Sequence, residues 1–400
     1  MRILIVGTTY APALNGQAVF TTNLAEGLAR RGHVVCVAYP SEKGQPFQTE
    51  RNGVRLEAQA SLSLRFLHEE GRFSPVRMGE VRRILTEFQP EVVHIHDHYP
   101  LSRAFALEAR RRKIRLIGTN HFMPENLVAY VPFNRALRPL YRWLGWRWAL
   151  EVYNRLDVVV AQSAAAGRLL KAAGLRPPVE SISCGIDTAR FHPDSSVNRA
   201  ALRQRFGLHP AQPLFLFVGR VDSEKRLDVL IRAFHRLKRA DAQLLIAGKG
   251  GVLEEMRALT RALGLSGQIH FPGFVANEDL PGLLNSADIF VMPGEAELLS
   301  IASLEAMACA RPMLLADAVA LPELVTPGVN GRLFRSGDAA DAARQMAALL
   351  DERDSWPQMG QASLERAQKH SLENVLQSYE NLYQREQRWP PTLSSSAVIM

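Results

Sequence analysis

The sequence predicts two doubly wound α/β domains in tandem. Short, fully apolar β-branched runs recur along the chain, and helical periodicity fills the gaps between them. That alternation marks parallel sheets covered on both faces. The 400 residues exceed what one ordinary hydrophobic core organises. A stretch from about residue 188 to 212, with Pro193 and Pro210, interrupts the alternation and reads as a connector.

In the first half, strands are predicted over 3–6, 34–38, 54–57, 92–95, 116–118 and 158–161. Phe20 to Arg31 has helical periodicity, and Gly32 follows it as a C-terminal cap. The connector holds Phe191-His-Pro-Asp, a short helical run from Arg199 to Gly207, and His209-Pro-Ala-Gln-Pro213. In the second half, strands are predicted over 214–218, 243–247, 269–271, 289–292 and 313–315. The last helix is expected over about 372–387, and the Ser-rich end beyond Trp389 is expected to be loosely held.

Composition sets further bounds. The chain is 47% apolar and 22% charged, the balance of a soluble globular protein. The scattered, odd-numbered cysteines Cys36, Cys184 and Cys309 suit buried free thiols in a reducing compartment and have no metal-ligand spacing. No charged segment followed by an apolar one opens the chain, so no secretory signal is expected. No apolar run of membrane-spanning length is present. Residues 1–190 hold 26 Lys+Arg against 16 Asp+Glu, a net +10, and the remainder holds 22 against 24, a net −2. The first half is therefore expected to meet something anionic.

The candidate chemistry begins with Glu297 and Glu305, which have seven residues between them. Pro293 and Gly294 end a strand, which puts Glu297 on a loop. Ser300 is a good N-cap, and Ile301 to Ala310 is a helix former, so Glu305 falls about one turn inside a helix. The first amides of such a helix lack internal partners and suit a diphosphate. Carboxylates on either side can accept hydrogen bonds from sugar hydroxyls. Gly219-Arg220-Val-Asp-Ser-Glu-Lys225 follows the first strand of the second half, where a fork and a point charge five residues apart can reach one diphosphate. His94, His96 and His98 alternate, so they share one face. That spacing leaves open a metal site or a set of core and cleft histidines. Gly7-Thr-Thr-Tyr does not match a dinucleotide fingerprint.

In these motifs, in order and spacing, nearly the whole chain resembles the retaining glycosyltransferases of the GT-B fold, family 4. The resemblance implies two Rossmann-like domains facing a cleft: an acceptor domain over 1–190, with the last helix crossing back to it, and a nucleotide-sugar domain over 191–371. It implies that Arg220 and Lys225 bind the donor's diphosphate and stabilise the leaving phosphate without a metal or other cofactor. Glu305 would hold the ribose, and Glu297 the sugar or its cationic transition state. Gly16, Gly219, Leu299, Ser300 and Ile301 would border the diphosphate. Gly273 and Phe274, in Phe271-Pro-Gly-Phe274, would meet the base. His121, closing Gly118-Thr-Asn-His, would lie beside the transferred sugar. Gly248-Lys-Gly-Gly251 would be a structural turn.

The chain departs from the family where Asn15 precedes Gly16 in place of a glycine; Asn is expected to tolerate positive φ there. It also reads Leu298-Leu299-Ser300 after Glu297, where relatives often read Gly-Phe-Gly.

The expected activity is hexose transfer from a nucleoside-diphosphate sugar to a lipid or cell-envelope glycan acceptor. The place would be cytoplasmic, peripheral on the inner face of the cell membrane. Arg135, Arg138, Trp143, Trp146 and Arg147 form a basic, Trp-rich stretch that suits either an anionic membrane surface or the core of the domain. Three alternatives stand beside this reading: a soluble sugar or metabolite acceptor, a nucleotide-sugar epimerase or phosphorylase of the same fold, and a non-catalytic binding protein. Nucleic acid is not the expected partner.

Overall fold

The computed structural model describes residues 1–13, 15–63, 72–124 and 137–385, and among these sixteen strands build two large, mainly parallel sheets and one small ribbon. The chain divides into two units. One comprises Met1–Gly185 with the segment from Leu372 onward, and the other comprises Ile186–Ser371.

The first unit is an eight-stranded sheet. Its strands are β1 (Arg2–Val6), β2 (Val34–Pro40), β3 (Phe47–Arg51), β4 (Val54–Gln59), β7 (Val92–Ile95), β8 (Arg115–Asn120), β9 (Val158–Ala161) and β10 (Val179–Ser181). They lie in the order β10-β9-β8-β7-β1-β2-β4-β3. All pairs are parallel except the β3–β4 hairpin. The short pair β5 (Leu62–Ser63) and β6 (Arg72–Phe73) stands apart. The helix Leu372–Gln384 packs on this unit. Tyr379 and Tyr383 are fully buried, and their hydroxyls meet Thr119 and His94, each at 2.8 Å. Glu380 pairs with His33 at 2.9 Å and Gln377 accepts from Arg31 at 2.8 Å. The expected helix thus ends at Gln384, and the chain beyond Arg385 lies outside the described residues.

The second unit is a six-stranded parallel sheet of β11 (Leu214–Val218), β12 (Gln243–Ala247), β13 (Ile269–Gly273), β14 (Ile289–Met292), β15 (Met313–Asp317) and β16 (Gly331–Arg335). Its order is β13-β12-β11-β14-β15-β16. Counted within the unit this is 3-2-1-4-5-6, the doubly wound order in which connections reverse direction between the first and fourth strands. The first unit reverses in the same way between β1 and β7. Ligands bind such sheets outside the strand ends at this reversal.

The apolar strands read from the sequence are all present, and Leu4, Ile5, Phe215, Phe217 and Phe290 are fully buried. The strands that the apolar pattern misses are the short pair β5 and β6 and the strands β3, β10 and β16, which lie at edges of the two large sheets. An edge strand has one neighbour and tolerates polar side chains, as Phe47-Gln-Thr-Glu-Arg51 shows.

All three thiols are free and buried, and burial pushes each up to about 12. The native protein should therefore give no fast reaction with a thiol-specific disulfide reagent at pH 8, and three equivalents once unfolded in denaturant. A fast native equivalent would contradict this burial.

Candidate functional site

The loops after β11 and β14 leave adjacent strands at the reversal of the second unit. The first carries Gly219 to Arg226 and the second carries Pro293 to Ser300. They are joined through backbone, since the Glu295 amide donates to the Glu224 carbonyl at 3.1 Å. They are joined again through charge. The Lys225 ammonium pairs with Glu297, and Arg226 reaches Glu295 at 2.7 Å. Arg220 pairs with Asp222 and, at 2.6 Å, with Glu224. The structure therefore brings Arg220, Lys225 and Glu297 into one network, with the two cations already held by carboxylates.

The loop after β12 completes the floor. Val221 donates to Lys249 O at 2.8 Å, Val252 donates to Val221 O at 3.1 Å, and Gly251 donates to Asp222 Oδ1 at 2.9 Å. Gly248 has φ +151, and a Cβ there would lie 1.8 Å from the Gly219 carbonyl oxygen. Only glycine allows these loops to approach so closely, which gives Gly248 a structural role and explains why Gly219 stands against it. Gly248 also donates to Gly273 O at 2.8 Å at the end of β13. Phe274 follows, half exposed, with the Lys249 ammonium 5.7 Å from its ring centre.

The helix Ile301–Ala308 begins as the sequence predicts. Ser300 is its N-cap, and its hydroxyl accepts from the Ser303 amide at 3.2 Å. Leu299 and Ser300 are buried, and Ile301 is partly exposed as the first helical residue. Glu305 projects from the second turn into a closely packed position that is partly exposed. Burial raises its carboxyl to about 7, and the nearby Arg190 pulls the other way. One carboxylate is thus held by a lysine and the other by burial, on either side of a helix N-terminus that favours anions.

In the first unit the reversal gathers a different set. Asn15 corrects one expectation. Its φ is −74, so it is extended, and it caps the helix Gly16–Arg30 by accepting from the Ala18 amide at 3.0 Å. Capping rather than positive φ explains an Asn here, and Gly16 is an ordinary first helical residue. Buried Asp97, which the sequence reading missed, accepts from the Thr8 amide at 2.6 Å and from Gln17 Nε2 at 3.3 Å. It ties the ends of β1 and β7 together. A lone Asp after a His-rich strand gave no signal of this.

His94, His96 and His98 are all fully buried. His94 spends both ring nitrogens on Tyr383 and Thr119, each at 2.8 Å, and His96 Nδ1 meets Thr21 at 2.8 Å. His98 lies among Tyr99, Phe122 and Trp148. Burial depresses His94 to about 3 and His98 to about 4, so they are neutral at physiological pH. His121 is lowered to about 3 by the same cause. Gln162, also missed from sequence, donates to its Nδ1, which leaves the Nε2–H buried with no hydrogen-bond partner among the described residues.

The basic aromatic stretch forms the helix Arg138–Tyr153. Ala149, Leu150, Val152 and Tyr153 are buried. Leu137, Leu140, Trp143, Leu144 and Trp148 are exposed, with Trp143 the most at 55%. Arg147 lies over the Trp143 ring at 5.4 Å. Trp146 instead packs edge-on to Phe122, because it points back toward the domain, and Trp148 takes the exposed place. Arg135 lies outside the described residues. Among the described residues no helix is long and apolar enough to cross a membrane.

Two family models match the chain: glycosyltransferase family 4 over residues 14–190 and glycosyl transferases group 1 over residues 198–366. A D-inositol 3-phosphate glycosyltransferase of Nocardia farcinica is 31% identical over 71% of this chain, which spans 65% of that relative's length. A GDP-mannose-dependent alpha-(1-6)-phosphatidylinositol dimannoside mannosyltransferase of Mycobacterium tuberculosis is 28% identical over 82% of both chains. Among solved structures, the sucrose-phosphate synthase of Thermosynechococcus elongatus superposes with a TM-score of 0.78 at 20% identity, over 95% of this chain and 98% of that one. It shares the GT-B fold.

The environment of Glu305 makes stability depend on pH. Its folded pKa lies above the ordinary 4.5, so its contribution is complete below about 4.5 and is lost as pH rises through about 7. Relative to the parent, Glu305→Gln should gain about 1–3 kcal/mol in denaturant unfolding between pH 5 and pH 8. A constant difference across that range would remove the raised carboxyl.

Proposed function

This chain belongs to glycosyltransferase family 4, and we propose that it moves a hexose from a nucleoside-diphosphate sugar to a lipid or cell-envelope glycan acceptor, with retention and without a metal. The observation that carries the reading is the meeting of Arg220, Lys225, Glu297 and the Ser300-capped helix at the reversal point of the second sheet. In this reading the diphosphate lies on the helix N-terminus, with Leu299, Ser300 and Ile301 beside it. Arg220 and Lys225 take up the charge that develops on the leaving phosphate. That phosphate helps to deprotonate the acceptor hydroxyl. Glu305 accepts from the ribose hydroxyls, and Glu297 from the sugar. Phe274 and the Gly273 backbone meet the base. His121, in the first unit, keeps a buried Nε2–H that could donate to a sugar hydroxyl. The named Mycobacterium relative uses GDP-mannose, which supports a nucleoside-diphosphate hexose as donor.

The lipid acceptor is supported by the +10 surplus of residues 1–190 and by the exposed Leu140, Trp143, Leu144 and Trp148 on one basic helix. Trp rings suit headgroup depth, and each cation near an anionic bilayer contributes about 1 kcal/mol. The enzyme would then work on the inner face of the cell membrane. The second reading is a soluble phosphorylated acceptor, favoured by the inositol 3-phosphate in the Nocardia relative's name and by the same positive charge.

Lys225→Ala and Glu297→Gln, with melting temperatures near the parent's, should each lower hexose transfer at least about 100-fold. Full rates in folded variants would overturn the site.

Sedimentation with liposomes separates the two acceptor readings. Binding to anionic and not to neutral vesicles, weakened by Trp143→Ser with Arg147→Glu, supports the lipid. No pelleting with either vesicle overturns membrane attachment and leaves the transferase standing.

A further inference from the structure

We infer that Glu297 makes the site distinguish a sugar-bearing donor from the spent nucleoside diphosphate, by exchanging its pairing with Lys225 for hydroxyls of the sugar. This rests on the reading of the site as a nucleotide-sugar site.

The two loops satisfy their own cations. Arg220, Lys225 and Arg226 are matched by five carboxylates: Asp222, Glu224, Asp228, Glu295 and Glu297. On the two loops three positive charges meet four negative ones, a formal −1, and Asp228 at the start of the next helix brings the set to −2. A diphosphate meets this loop pair as an anion and has to take cations from carboxylates.

The carboxylates differ in what holds them. Asp222 is buried and also accepts from the Gly251 amide, so it belongs to the joint between two loops. Glu224 is buried, and its carbonyl holds the Glu295 amide. Glu295 is largely exposed, so water replaces a lost partner cheaply. Glu297 is different. Its side chain is 11% exposed and that of Lys225 15%, so the pair sits in a largely desolvated place. Among the described residues Lys225 is its single ionic partner.

Removing a partner from a nearly buried carboxylate is costly unless another donor arrives. A bare diphosphate offers Lys225 new oxygens but offers Glu297 nothing, since its phosphates only accept. A sugar on the diphosphate offers hydroxyl donors beside the released carboxylate. The same exchange that admits the donor therefore penalises the product once its sugar has left. Glu297 is in this sense a specificity residue as well as a sugar contact, and Lys225 is the cation it trades.

The test uses isothermal titration of the full chain with UDP, GDP and ADP, and with UDP-glucose, GDP-mannose and ADP-glucose. The base that binds the parent is carried forward. Glu297→Gln leaves no carboxylate to strand, so it should bind the bare diphosphate about tenfold tighter than the parent. Its preference for the sugar nucleotide should shrink by a similar factor. Glu297→Ala should move the diphosphate affinity in the same direction. Glu295→Gln removes one negative charge next door and should change it less than about twofold. If Glu297→Gln and Glu297→Ala bind the diphosphate no tighter than the parent, or Glu295→Gln matches them, the exchange is wrong and the site reading stands. If the parent binds none of the six compounds, the site reading itself fails.

Discussion

The reversal of strand order between β11 and β14 is the constraint on which the second unit's chemistry depends. Connections from neighbouring strands leave in opposite directions there, so a crevice opens at their carboxyl ends. No other place in the sheet puts the ends of two adjacent strands side by side with nothing crossing over them. The loop with Arg220 and Lys225 and the loop with Glu297 are 72 residues apart at their contact, yet topology alone makes them neighbours. Short backbone links then fix the spacing, and Gly248 lets the β12 loop press against Gly219 from below.

Much of this was legible in the residues because it rests on local rules. Fully apolar strands can only be buried, and the fold class follows from them and from the connector. Ser300 as cap and Glu305 one turn further in follow from capping chemistry, which operates within four residues. What stayed hidden depends on contacts that are distant in sequence. The edge strands β3, β10 and β16 are specified by one neighbour and carry no strong apolar signal. Asn15 was read through its tolerance of positive φ, and the helix behind it decided instead for a capping role. Asp97 and Gln162 acquire their roles from Thr8, Gln17 and His121, across separations of 41 to 89 residues.

The histidines of the first unit have a spacing that a metal site shares, and their ring nitrogens meet groups of the fold. Alternation on β7 places His94, His96 and the following His98 on one face, as a metal site would also require. The structure instead surrounds them with Tyr, Thr and aromatic rings, and desolvation keeps them neutral. A neutral imidazole donates from one nitrogen and accepts at the other. That suits the relay from Thr119 through His94 to Tyr383, which fastens the last helix to the sheet.

The second unit applies the same logic to its two acidic residues. Glu297 and Glu305 are one chemical type, eight positions apart, and nothing in their side chains distinguishes them. Glu297 lies on a loop against the Lys225 ammonium, where its charge is already compensated. Glu305 sits on the helix with burial as the dominant influence and Arg190 as a weaker opposing one, so its charge is the costlier to hold. In the proposed reading a hydroxyl-rich ligand would supply donors to both, for different reasons. It would replace a lysine at the first and compensate missing water at the second. Two carboxylates made unlike by their surroundings can therefore respond to different ends of the same molecule. The loop-and-helix arrangement that separates them is what the reversal of the sheet provides.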